Sequence, residues 1–196
     1  MKESFERLTN FLTQNGFDSR KHSIDIQNEF ELISTKRNEI IEKSGKIPSY
    51  LYFITYGYLR LFQYDNQGDE ITTKIGCPNS FITSYLNFAN NEIANENLEC
   101  ITDCKLLRIN RQSLLDLIER NDSFKAFSLV IFESAIKDLQ IRANDLAILT
   151  ASERYKNLIT NNPQIIQNIP MQYIASYLGI KPQSLSRIRA EISSQM

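Results

Sequence analysis

Hydrophobic and polar positions change their period along this 196-residue chain, and each change predicts a different element. Residues 1–18 step as a helix, with Phe5, Leu8, Phe11 and Leu12 on one face. From about Ile24 to Ile109 the apolar residues come in short runs punctuated by turn residues, which predicts strands. The run LYFITYGYLRLFQYD is the clearest, being rich in β-branched and aromatic residues around Gly57. A turn over Asn66 to Asp69 follows it, and LECITDCKLLRIN reads as another hairpin through Thr102-Asp103. Many short strands at regular spacing predict a sandwich or barrel. Helical spacing returns from Arg111 to Leu149, first in RQSLLDLIERN and then in a long helix for which Asp122 is the expected N-cap. A further helix over Ser152 to Asn161 and a break at NNPQ lead into the last segment.

On the long helix Phe124, Phe127, Ile131, Ala135, Asp138, Arg142, Leu146 and Leu149 follow an alternating three- and four-residue step, the pattern of a coiled-coil seam. The segment FSLVIFESAI is apolar nearly all round and should face two surfaces, its own barrel and a second subunit. Phe124, Phe127, Ile131, Ala135, Arg142 and Leu146 are therefore expected at a homodimer interface. An acidic substitution at Ile131 or Leu146 is expected to weaken it.

The densest pattern lies at Met171 to Ile192, MQYIASYLGIKPQSLSRIRAEI, which has the spacing of a helix-turn-helix. Ile174, Leu178, Ile180, Leu185 and Ile188 fall where the two helices must be apolar to pack, and Ala175 where they approach closest. Gly179 stands where a left-handed residue ends the first helix, and Pro182 opens the second where its missing N–H costs nothing. An αα-hairpin within a helical bundle is the plainer alternative. At about 100° per residue Leu185, Ile188 and Ile192 share one face of the second helix, while Gln183 and Arg187 lie nearly opposite, with Ser186 and Ala190 beside them. Arginine pairs with a guanine edge and glutamine with an adenine edge, so Gln183 and Arg187 are expected to face bases, with small Ser186 beside them at the DNA letting the helix sit deep in the groove. Lys181, Ser184 and Arg189 sit on the flanks and suit phosphates, with Gln172 as a further contact on the first helix.

The net charge of −1 argues against nucleic acid until its distribution is read. Residues 142–196 hold six basic side chains (Arg142, Arg154, Lys156, Lys181, Arg187, Arg189) against three acidic ones (Asp145, Glu153, Glu191). The rest of the chain carries 16 basic and 20 acidic residues. A basic end on an acidic body suits a protein that grips DNA with one small unit. Cys77, Cys100 and Cys104 form neither a disulfide framework nor a closed zinc site, and are read as reduced. The single histidine, His22, removes most histidine-based enzyme classes, and no P-loop, GxGxxG or nucleophile elbow occurs. No catalytic residue, metal or cofactor is therefore expected. No apolar run is long enough to span a membrane and no signal peptide is evident, so the expected location is cytoplasmic.

Nearly the whole chain resembles the Crp/Fnr family of bacterial transcription regulators. RNEIIEKSGKIPSYLYFITYGYLRLFQYDNQGDEI is similar to that family's opening barrel strands, with Gly45, Gly57 and Gly68 at turns. LECITDCKLLRINRQSLLDLI is similar to the closing strands and following helix, LTASERYKNLI to the first helix of the DNA-binding domain, and IPMQYIASYLGIKPQSLSRIR to its reading head. The resemblance implies an α+β chain: an antiparallel β-barrel of cyclic-nucleotide-binding-like jelly-roll type (1–120), a dimerisation helix (121–149) and an abbreviated winged helix-turn-helix (150–196). Its implied partners are double-stranded DNA and a second subunit, with RNA polymerase a further candidate and no membrane. Cyclic-nucleotide binders of the family carry a G-D-x-x-G-E run and an Arg-Ser or Arg-Thr pair. Here the first reads Asn79 to Ser84 without glycine or carboxylate, and Ala94-Asn95 stand in place of the second. Thr83, Ser84, Ala94 and Asn95 are thus expected to line a degenerate effector site that does not take cyclic AMP, since a buried phosphate without a countercharge is penalised. The iron–sulfur and haem branches need ligands that are not supplied. The effector stays open: a ligand in the barrel, a partner protein, or none. An alternative function is a ligand-sensing barrel whose helical tail binds a protein.

Overall fold

The computed structural model describes residues 1–17 and 23–194, without the side chains of 23–25. His22 lies outside the described residues. Strands β1 (Glu31–Thr35), β8 (Cys104–Asn110), β3 (Tyr50–Tyr56) and β6 (Ser80–Ile82) form one sheet in that order. Strands β2 (Ile40–Glu42), β7 (Asn97–Cys100), β4 (Leu59–Tyr64) and β5 (Glu70–Gly76) form the other. Every pairing is antiparallel, and the expected barrel is realised as two facing sheets of jelly-roll type.

Strand β3 explains the continuous apolar run in its sequence. Alternate residues point to opposite faces of a strand, and here both faces are covered. Tyr52 and Ile54 join Leu59, Leu61, Leu98 and Leu106 between the sheets. Leu51 and Phe53 join Phe81, Leu107 and Ile109 beneath the helices α1 (Lys2–Gln14), α4 (Arg111–Arg120) and the start of α5 (Asp122–Ile148). At the β3–β4 turn Gly57 has φ +90°, and a Cβ there would lie 2.5 Å from the Asp103 carbonyl oxygen. Only glycine fits that turn.

Three short helices were expected as strand or loop: α2 (Ser23–Glu29), α3 (Tyr85–Asn90) and α7 (Pro163–Asn168). Each has two turns or fewer, so tertiary packing rather than periodicity decides its conformation. The N-cap of α5 is Asn121, whose Oδ1 accepts from the Phe124 amide at 3.0 Å, and not Asp122. Asp122 instead lies in the first turn, where a carboxylate complements the helix dipole.

The long helix corrects the expected dimer face. Phe124, Phe127 and Ala135 are buried within their own subunit, and Ile131 is half-buried against the same cluster. Arg142 is held by backbone carbonyls of its own chain, leaving only Leu146 of the expected set exposed. The open apolar stripe is instead Leu129, Ile136, Leu139, Ala143 and Leu146, joined by Phe132, which is half-buried against Tyr85, with Leu129 57% and Ile136 59% exposed. Its steps also alternate three and four, so it makes a second, outward seam on the same helix.

After α5 the described chain is entirely helical: α6 (Ala151–Asn161), α7, α8 (Met171–Tyr177) and α9 (Pro182–Ser193). Thr150 and Glu153 form a capping box at the start of α6. Tyr155, Leu158, Ile165, Ile174, Ala175, Leu178, Leu185 and Ile192 make the core of this unit.

Candidate nucleic-acid interface and effector cavity

Helices α8 and α9 meet as the sequence spacing requires. Ala175 and Leu185 are fully buried at their crossing, Gly179 has φ +70°, and Pro182 occupies the first turn of α9. Leu185 and Ile192 are buried and Ile188 half-buried, which turns the opposite face outward. Gln183, Ser186 and Arg187 are exposed there, and among the described residues none of their side chains has a hydrogen-bond or ionic partner. Small Ala190 lies beside them, so the centre of this face is not crowded. Gln172, Ser184 and Arg189 are also exposed, and Arg189 Nη1 lies 3.0 Å from Met171 Sδ. Lys181 is exposed but engaged: its ammonium donates to Asp69 Oδ2 at 2.9 Å, and this contact holds its pKa above the ordinary lysine value.

The expected effector residues are only partly brought together. Thr83, Ser84 and Ala94 border a crevice of about 10 Å³ inside the sheets, room for about one water. Thr83 Oγ1 is used on the Tyr50 carbonyl at 3.0 Å, and the Ala94 amide donates to the Lys46 carbonyl at 3.0 Å. Asn95 is exposed and lines neither this crevice nor the larger cleft beside it.

The residue that sequence reasoning missed is Glu96. Thr73 Oγ1 donates to Glu96 Oε1 at 2.5 Å, and the Ser84 hydroxyl lies 2.7 Å from Glu96 Oε2 and 2.9 Å from Asn87 Oδ1. The short hydroxyl donors of the site thus already serve a carboxylate belonging to the chain. Glu96 is one of three glutamates in the polar stretch NNEIANENLE, where nothing local marks it off from a solvated charge.

Beyond the crevice a cleft of about 580 Å³ opens between β5, α5 and the C-terminal helices. Its three cations are all committed. Lys74 lies 3.7 Å from Asp138 and over the ring of Tyr85, and burial lowers its pKa against the pull of Asp138. Arg142 donates to the carbonyls of Tyr177 and Thr72, and Arg154 to those of Leu178 and Leu149. Cys77 also lines the cleft, with its pKa pushed up to about 11 by burial, so it stays a thiol at neutral pH. Cys100 and Cys104 are buried, and no cluster of metal-ligating side chains occurs among the described residues. No helix among them is long and apolar enough to cross a membrane.

Residues 32–121 match the cyclic nucleotide-binding domain family. No curated protein matches the chain. Among solved structures, FixK2 from Bradyrhizobium japonicum superposes with a TM-score of 0.73 at 16% identity, over 85% of each chain. A protein from Eubacterium rectale assigned to the Crp/Fnr family of transcriptional regulators gives 0.70 at 14% identity, over 92% of this chain and 88% of its own. CLP of Xanthomonas campestris, described as a c-di-GMP-responsive global regulator, gives 0.65 at 15% identity, over 90% and 92%. Likeness at these identities establishes a shared fold.

Proposed function

We propose that this chain, of Crp/Fnr type by its cyclic nucleotide-binding domain and its architecture, is a homodimeric, sequence-specific DNA-binding transcription regulator and not an enzyme. The observation that carries the reading is the outward face of α9, where Gln183, Ser186 and Arg187 stand exposed, with no side-chain partner among the described residues, opposite a buried apolar face. In this reading residues 1–120 form the effector unit, 121–149 the dimerisation helix and 150–196 the DNA-binding head. The protein acts in the cytoplasm, with RNA polymerase as a further partner.

Operator selection from random DNA, followed by binding assays, tests the head directly. Arg187→Ala should cost about 1–3 kcal/mol of operator affinity and relax preference at one position of each half-site. Arg189→Ala should weaken binding to all sequences and shallow the salt dependence by about one unit per subunit. Unchanged base preference in Arg187→Ala would remove α9 as the reader. Affinity nearly independent of salt would favour a protein-docking tail instead.

The effector unit of this reading does not answer to cyclic AMP. A phosphate at Ser84 would face the Glu96 carboxylate; the cations of the neighbouring cleft are committed elsewhere, and Lys43 and Lys46 at the crevice rim are exposed to water, where their charge is screened. Titration calorimetry should give no heat of binding with cyclic AMP. Micromolar affinity would show that Glu96 and its donors rearrange to admit the phosphate.

A further inference from the structure

The C-terminal head is fastened to its own effector unit through the free edge of a sheet. Strand β5 is the last strand of its sheet, so one row of its backbone groups lacks a strand partner. Ser176 of α8 takes their place: the Thr72 amide donates to Ser176 Oγ at 2.8 Å, and that hydroxyl donates to the Glu70 carbonyl at 2.9 Å. Arg142 of α5 ties the same two pieces, donating to the Thr72 carbonyl at 3.0 Å and the Tyr177 carbonyl at 2.7 Å. Tyr173 of α8 covers the buried Arg60 guanidinium, whose centre lies 3.7 Å from the ring centroid. Ile101, from the β7–β8 turn, is buried in the core of the head itself.

The same docking brings an acidic turn to the reading helix. The β4–β5 hairpin, YDNQGDE, carries Asp65, Asp69 and Glu70, and Asp69 holds Lys181 immediately before α9. Lys181 is a side chain assigned to a DNA phosphate, and here a carboxylate fills that role. A DNA backbone arriving at this flank would meet the hairpin's charges at close range, where like charges repel.

We propose that this docking is an autoinhibitory latch, in which the β4–β5 hairpin masks the phosphate-binding flank of α9 and α8 must leave the β5 edge before the head engages DNA. The proposal rests on the DNA-reading assignment above and adds the regulation of that site. Apparent affinity is the intrinsic affinity scaled by the fraction of molecules that are unlatched, so loosening the latch tightens DNA binding without any new DNA contact.

The test uses the full chain with three substitutions outside the base-reading face. Asp69→Asn removes the charge facing Lys181 while leaving intact the hairpin's own bonds, made by Asp65 and the backbone. Ser176→Ala removes both bonds to the β5 edge, and Tyr173→Leu removes the ring over Arg60 but keeps an apolar side chain in the head. Two quantities are read: hydrogen exchange of the Thr72 amide, and affinity for the operator selected with wild-type protein. The triple variant should exchange Thr72 faster and bind the operator about tenfold more tightly, with unchanged base preference. Asp69→Asn alone, which changes no residue of the head and loosens only its contact with Lys181, should move affinity in the same direction by a smaller factor. Unchanged exchange would show that these contacts do not hold the head, and faster exchange with unchanged or weaker operator binding would make the docking purely structural. Failure of wild type and variants alike to select any DNA would overturn the DNA-reading assignment and the inhibition together, whatever the exchange shows.

Discussion

Replacing Arg60 with leucine is expected to destabilise the chain by about 3–5 kcal/mol, because it leaves a buried carboxylate without its cation. Arg60 is 1% exposed on β4, between β5 and β7. Its Nε donates to Glu99 Oε2 at 2.7 Å, its Nη2 also pairs with Glu70, and its Nη1 reaches Thr72 Oγ1 at 3.4 Å. The guanidinium plane stacks on Phe62 as well as Tyr173. Glu70 is substantially exposed and can turn to water, but Glu99 cannot. For a chain of this size each kcal/mol lowers Tm by about 2–4 °C, so the loss is readable by calorimetry at fixed protein concentration. The double variant Arg60→Leu with Glu99→Leu should recover much of it, since apolar residues often replace a buried ion pair at little cost. A shift of less than about 3 °C in the single variant would mean that water reaches Glu99 and compensates it.

The helix-turn-helix was legible because its constraints are local. Gly179, Pro182 and the apolar positions all fall within Met171 to Ile192, and the structure seats Ala175, Leu178 and Leu185 together in the core. The strands were legible for a related reason, since β3 and β4 are dense in β-branched and aromatic residues. The docking of the head was not, because Ser176 and Glu70 are 106 positions apart and nothing in either segment announces the other. Glu96 illustrates another limit. A carboxylate in a polar loop reads as a solvated charge, and only the fold brings Thr73 and Ser84 to it.

Helix α5 was less legible for a different reason, and the second large expected effect lies there: Ile136→Glu should convert the proposed homodimer to monomers, whereas Ile131→Glu should destabilise the subunit. Both stripes on this helix step by three and four, so periodicity alone cannot say which one faces the subunit's own core. The structure assigns the stripe of Phe124, Phe127 and Ala135 to the interior, which leaves Leu129, Ile136 and Leu139 open on the adjacent face beside the half-buried Phe132. Burying an isoleucine contributes about 1.5–3 kcal/mol, and a two-fold interface loses two copies at once. Ile136→Glu should therefore raise the dimer dissociation constant about a hundredfold or more while leaving the far-ultraviolet circular dichroism of the monomer unchanged. Ile131→Glu places a carboxylate against the aromatic cluster, and should cost about 1–3 kcal/mol of subunit stability. Sedimentation and thermal melts separate the two effects. Dissociation by Ile131→Glu with an intact Ile136→Glu dimer would return the seam to the inner stripe. Wild-type protein that sediments as a monomer would show that the exposed stripe meets something other than a second copy.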